Sequence, residues 1–341
     1  MTSQRSDHLR TRLVRYAELR PCRNAFIDSR TPGSERKENF TIIGPGVAEN
    51  PEQHVHISIP HGFNIGGARQ PPRCVNSQHS HDTAEVFIVH SGTWAFRSGE
   101  RARDGEVVLG PGDVVSLPVH MFRGFENIGD DAGFLFAALG GDDPGRVMWA
   151  PYVFEAARSY GLILLESGRL IDTTQGQTVP AGAQPMPPTT QDDVDRMTRF
   201  STSDLEACVL RAAAMAAPQP SALTRHAAGG VEECPIVGDA SAAEGVAAGK
   251  MAWAHGFHVR RMAVRPQSTI PGHIRQEEEV LLMHRGTLRV HVNGDSVDLG
   301  PGDVITVPAG VPRRYLNQTA TEATAYVVRG GDRPAAPRWS E

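Results

Sequence analysis

The stretch His79-Ser80-His81-Asp82-Thr83-Ala84-Glu85, followed by Gly92, decides how the rest of this chain is read. On an extended strand, residues i, i+2 and i+6 point to one face, so two imidazoles and a carboxylate would converge on the same side of a sheet. Two neutral nitrogens and one anionic oxygen suit a borderline divalent metal such as Fe(II), Mn, Co, Ni or Zn. A lone His-x-His beside a glutamate is more often a solvated surface pair. The remainder of the chain argues for the metal.

The chain contains this region twice. Ile42-Ile43-Gly44 recurs as Ile236-Val237-Gly238, and His61-Gly62-Phe63 as His255-Gly256-Phe257. His79 matches His273, Glu85-Val86 matches Glu279-Val280, and Gly92 matches Gly286, all at an offset of 194 (273 − 79). A hairpin shortened by four residues resets the offset to 190 (299 − 109). Leu109-Gly110-Pro111-Gly112-Asp113-Val114 then matches Leu299-Gly300-Pro301-Gly302-Asp303-Val304. Pro118, Arg123, Asn127 and Trp149 match Pro308, Arg313, Asn317 and Trp339. One constant offset on each side of a single gap marks a duplicated unit.

Each copy reads as β-structure. Residues 85–90, 107–109, 114–117 and 134–138 are short apolar runs bounded by Gly and Pro, and Ser98-Gly99 and Asn293-Gly294 are hairpin signals. Between the copies, residues 152–166 and 192–214 show helical spacing around a Pro-rich stretch at 178–190, with Asp192-Asp193 placed for a helix N-terminus. The formal charge of −5 argues against nucleic acid as a partner, because phosphate binding needs a basic surface. No run of about 18 apolar residues offers a membrane span. Residues 1–20 carry five arginines but no apolar segment of a secretory signal, and read as a capping helix. The four cysteines are far apart, which fits a reducing cytoplasm.

The phrase His79-Ser80-His81…Glu85…Gly92, followed by Gly112…Pro118…Asn127, resembles the two signature motifs of the cupin superfamily. The family's second motif, Gly-x5-Pro-x-Gly-x2-His-x3-Asn, has His120 here in place of its middle glycine and Arg123 in place of its histidine. The later copy reads His273-Ile274-Arg275…Glu279…Gly286 and has Arg313 at the same histidine position. The resemblance, with the repeat, implies a bicupin. Its fold class is all-β: two jelly-roll-like cupin barrels joined by a partly helical linker. The expected boundaries are a helical capping segment over residues 1–38, a first cupin domain over 39–150, a linker over 151–230 and a degenerate second domain over 231–341.

Carried over residue by residue, the resemblance makes His79, His81 and Glu85 the ligands of one divalent metal in the first barrel, Fe(II) foremost. Arg123 cannot coordinate a cation. Either three side chains hold the metal and leave open positions, or His120 swings in as a fourth ligand. Arg123 itself has two readings: an ion pair with Glu85, or a bidentate clamp for a substrate anion, which is the catalytic role assigned to it. Arg275 and Arg313 would repel a metal in the second barrel and pair with Glu279 instead. His61, His90, His255 and His284 recur in both copies and read as structural, and Trp94 and Phe96 read as barrel core. The function expected is a mononuclear non-haem Fe(II) dioxygenase acting on a small anionic molecule, as a cytoplasmic homodimer. The alternatives are a non-oxidative metal enzyme (isomerase, decarboxylase or lyase) and a non-catalytic binding protein.

Overall fold

The duplicated sequence folds into two copies of one strand order, seen in a computed structural model that describes Leu9 and residues 11–340. In the first copy, a sheet runs Val209–Leu210, Val114–Leu117, Glu85–Ser91, Gly133–Gly140, Phe63–Gln70, Glu38–Ile43 and Val55–Ile57. A five-stranded sheet runs Val147–Trp149, Val75–His81, Arg123–Asn127, Trp94–Ser98 and Gly105–Leu109. The second copy repeats this with Leu13–Val14, Val304–Val307, Glu279–Arg285, Ala323–Gly330, Phe257–Val264 and Val231–Val237 in one sheet. Its other sheet holds Asp295–Leu299, Leu288–Val292, Arg313–Leu316, Thr269–Ile274 and Arg338–Trp339. Two copies of one all-β strand order are what the repeat implied.

Alternation along the strands puts one side chain in two inside each barrel. In the first, Phe87 and Leu135 from one sheet meet Trp94, Phe96 and Phe125 from the other in a single buried cluster. Phe87 packs 5.2 Å from Phe96 and 5.1 Å from Phe125, centroid to centroid, in tilted and edge-on arrangements that suit aromatic quadrupoles. Trp94 and Phe96 are core, as expected.

Both copies protect the same sheet edge in the same way. Val209–Leu210 pairs with Val114 and Val115, and Leu13–Val14 pairs with Val304 and Ile305. The aspartate of each Gly-Pro-Gly-Asp turn secures the added segment. Asp113 accepts from Gly110 N and Ala212 N, and Asp303 accepts from Gly300 N and Tyr16 N. One carboxylate thus closes its own turn and ties down the strand that covers the edge. Of the expected capping segment, residues 1–8 and 10 lie outside the described residues; beyond them the chain forms this strand and a 3-10 turn at Tyr16–Glu18.

The middle region is less helical than its periodicity suggests. The helix Pro151–Ser159 opens on a proline, whose fixed φ suits a first helical position, and buries Val153, Phe154 and Ala157. It ends before Gly161, and a small hairpin of Leu162–Leu164 and Leu170–Asp172 follows. The single pattern over 192–214 resolves into two short helices, Gln191–Asp195 and Thr202–Ala207. Each begins at its own capping box, Thr190 with Asp193 and Ser201 with Asp204, and the Ser98 hydroxyl donates to Phe200 O just ahead of the second. By contacts, Arg20–Pro60 and Asn64–Ala212 form one compact unit; residues 11–19, His61–Phe63 and 213–340 belong to the other. Among the described residues no helix is long and apolar enough to cross a membrane.

The Gly-Pro-Gly-Asp turn offers a test. Gly302 has φ +84°, and a Cβ there would meet the Tyr16 ring at 2.6 Å. A Cβ on Gly300 would meet only Asp303 Oδ2, at 3.9 Å. Gly302→Ala should cost about 1–3 kcal/mol in urea unfolding, whereas Gly300→Ala should stay within about 0.5 kcal/mol.

Candidate metal centre

His79 and His81 lie on Val75–His81, and their i, i+2 spacing puts both rings on one face. Glu85 is not on that strand. The chain turns through residues 82–84 and Glu85 opens Glu85–Ser91, a central strand of the other sheet. The three side chains therefore converge because two sheets meet, not because one strand carries them all. Their donor atoms lie within 4.8 Å of one another, all are buried, and no other such group of three exists among the described residues. They line one wall of a cavity of about 80 Å³.

Local bonding prepares these groups as ligands. His79 Nδ1 sits 2.7 Å from Ser77 O and donates to it, which leaves the Nε2 lone pair free. Burial, reinforced by the nearby Arg123 charge, pulls the His79 pKa down to about 3. His81 is lowered for the same two reasons. Both rings are neutral at ordinary pH, the form that binds a cation. Burial raises the Glu85 pKa, and Arg123 partly offsets this. His81 Nε2 is 3.5 Å from Glu85 Oε2, and His81 Nδ1 is buried with no hydrogen-bond partner. Two neutral imidazoles, one carboxylate and an unanswered ring nitrogen fit a divalent cation, whose bonds of about 2.0–2.2 Å would draw the donors closer.

Arg123 stands opposite His79 in the strand register. Its Nη2 is 3.4 Å from Glu85 Oε2, while Nε and Nη1 are buried without partners. It is not on the cavity wall. Of the two readings for Arg123, an ion pair with Glu85 or a substrate clamp, the structure shows the geometry of the first, a guanidinium facing Glu85. His120 is placed elsewhere. It is exposed in a turn at φ +58°, and its carbonyl accepts from Thr198 N. The structure thus brings His79, His81, Glu85 and Arg123 together and leaves His120 outside. His54 and His56 pack against each other and do not line the cavity.

Behind the ligand strand lies support that the motifs did not reveal. Lys37 and Asp28 form a fully buried ion pair. Asp28 accepts from Ser77 N, and Lys37 donates to Asn76 Oδ1, so the pair grips the strand just ahead of His79. Glu49, also buried, accepts from Trp149 Nε1 at 2.6 Å and from Ile27 N at 2.7 Å. Trp149 in turn packs 5.2 Å from the His79 ring. The sequence does not mark this pair, because Lys37 has Glu35 and Glu38 beside it and yet bonds to Asp28.

The second barrel fills the equivalent place with ion pairs. Glu279 is 3.4 Å from both Arg275 and Arg313, 3.9 Å from Arg329, and accepts from the Tyr315 hydroxyl. Burial alone would raise its pKa, but these cations hold it far below the carboxylate range. A loop residue, Glu244, enters the same network and pairs with Arg260, Arg275 and Arg329, and they hold its pKa near about 2 despite burial. Arg313 also donates to Val311 O, unlike the partly unanswered Arg123. Tyr315 shares parity with Arg313 and could have been found from the strand pattern. Glu244, Arg260 and Arg329 carry no such signal.

A family model of the cupin domain matches this chain twice, over residues 68–138 and 260–329. The chain is a bicupin. No curated protein matches the bicupin in sequence. In structure it is similar to a deletion mutant of the Bacillus subtilis oxalate decarboxylase OxdC, with TM-score 0.55 and 13% identity over 95% of this chain and 78% of that one. It is also similar to the Lactobacillus farciminis oxalate decarboxylase formate complex, with TM-score 0.55 and 11% identity over 95% and 87% of the two chains. AerE from Microcystis aeruginosa gives TM-score 0.50 and 10% identity over 94% and 99%. At these identities the likeness is one of fold.

Two measurements test the support of the bicupin's ligand strand. Lys37→Met leaves Asp28 buried and unpaired, and chemical denaturation should show a loss of about 3–5 kcal/mol. Burial pushes the Glu49 carboxyl up to about 8, against the hydrogen bonds from Trp149 and Ile27. Between the unfolded value of 4.5 and about 8, the folded chain holds a proton that the unfolded chain has lost. Stability from this group should therefore fall as pH rises through that window, by up to about 1.4 kcal/mol per pH unit. Glu49→Gln should flatten the slope.

Proposed function

We propose that this bicupin is a mononuclear metal-dependent enzyme with its active site in the first barrel, that its metal is Fe(II), and that it is a dioxygenase for a small anionic organic molecule. The observation that carries this reading is the buried convergence of His79, His81 and Glu85 on a cavity, with Arg123 at the position where the family motif has another histidine. Two histidines and one carboxylate leave coordination positions open, the donor set typical of non-haem Fe(II) oxygenases. A ferrous ion held there supplies the one-electron chemistry by which an organic anion reacts with dioxygen.

The chain's own residues would do the rest. Ser77 O fixes the His79 tautomer, so that Nε2 faces the centre. Arg123 acts as a positioning residue that faces Glu85 and draws its pKa down against the rise that burial imposes. The apolar walls keep water from the reacting groups. The second barrel, whose glutamate is claimed by arginines, takes no metal and serves the fold.

Protein purified without chelators should carry close to one metal per chain. His81→Ala should lose it with the fold intact, and His273→Ala should keep it. Protein without metal would sink the assignment. The iron-loaded protein should consume oxygen with a small organic acid; release of carbon dioxide without oxygen uptake would replace the dioxygenase with a decarboxylase, the activity in the names of two structural neighbours. Arg123→Met should move the onset of metal binding to higher pH, because Glu85 then holds its proton longer.

A further inference from the structure

The walls of the first-barrel cavity limit what can enter it. Phe40, Ile65, Phe87, Phe125, Leu139 and Trp149 are among the side chains that line it, and no lysine or arginine does. The cations nearest the wall are already committed. Lys37, whose Nζ lies 5.3 Å from the Phe26 ring and 5.9 Å from the Trp149 ring, pairs with Asp28. Arg69, stacked 5.0 Å from the Phe40 ring, pairs with Glu38 at 2.6 Å. Arg123 faces Glu85. Apart from the metal-facing trio, the polar wall groups are neutral. Asn76 accepts from Lys37, Thr41 bonds to Gln53, and Asn39 Nδ2 has no partner, so it offers a single uncharged donor.

An anionic group inside such a cavity has one place where positive charge can answer it, the metal side. A second carboxylate too far from the first to share the metal side would lie unpaired against aromatic and aliphatic walls, which is strongly unfavourable. The volume of about 80 Å³ sets the size.

We infer that the ligand of the first barrel is a small molecule with one anionic head and a compact hydrocarbon body, and that it carries no second carboxylate at the far end of that body. The inference rests on the metal-centre reading only for the place of the head. The body is selected by the walls, and Ala137 and Leu139 on Gly133–Gly140 are the side chains that set its length.

Calorimetric titration of the metal-loaded protein with 3-methylbutanoate, succinate and glutarate, whose second carboxylate reaches along the walls, tests this. The branched acid should bind at least about tenfold tighter than either dicarboxylate, with a negative heat-capacity change from buried hydrocarbon. Ala137→Phe should abolish its binding while metal content stays unchanged. Should that variant fail to fold, Leu139→Ala serves instead, and its preference should shift toward the longer 4-methylpentanoate. Succinate or glutarate binding as tightly, no binding of 3-methylbutanoate, or no shift in Leu139→Ala would overturn the inference. A protein that takes up no metal refutes the metal centre alone. In that case the same titrations on metal-free protein should give the same order of acids, and a reversed order would refute the cavity argument whether or not metal is bound.

Discussion

A carboxylate buried at the head of a central strand has to be answered by positive charge, and the two copies of this chain answer it differently. Glu85 and Glu279 occupy the same position in the same strand order. Both are removed from water, where an unpaired charge is untenable. In the second barrel three arginines and a tyrosine hydroxyl surround Glu279, and a loop glutamate balances the excess cations. In the first barrel Glu85 has one arginine at a long 3.4 Å and two neutral imidazoles. The first carboxylate is left with coordinating capacity to spare, and the second is not. The contrast in chemistry between the barrels follows from that difference in charge.

The same constraint explains the scaffolding around the site. A ligand strand that must present two rings at fixed spacing needs its backbone held, and Asp28 with Lys37 holds it from the protein interior. Glu49 does the equivalent for Trp149, which packs on the His79 ring. Each is a buried polar group whose partners are supplied in full, the condition under which such groups specify one arrangement rather than merely cost stability. The Asp113 and Asp303 turns apply this logic at the sheet edges, where one side chain satisfies backbone donors from two segments.

The repeat was legible because a duplicated strand order demands the same turns, and turns need particular residues. Glycine at a positive φ and aspartate bonded back to the turn leave marks that survive divergence, as in Gly302 and Asp303. His79 and His81 were legible for a similarly local reason, the two-residue period of a strand. The convergence of Glu85 was anticipated on the wrong geometry. Its parity with the histidines matters less than the sheet change at residues 82–84, which brings it in from the opposite wall. The helices of the middle region were over-read because periodicity does not register a second capping box such as Ser201 with Asp204.

By itself, then, the sequence determined the two barrels, the intact His79, His81 and Glu85 set in one of them, and the arginines that replace ligands in the other. All of these depend on residue type at short spacing. Only the tertiary structure decided that Arg123 faces Glu85 rather than the cavity, that His120 stays in an exposed turn, and that Glu244 reaches into the second barrel. Those outcomes depend on which charges become neighbours once water is excluded. Neighbours of that kind come from distant parts of the chain, and no local spacing encodes them.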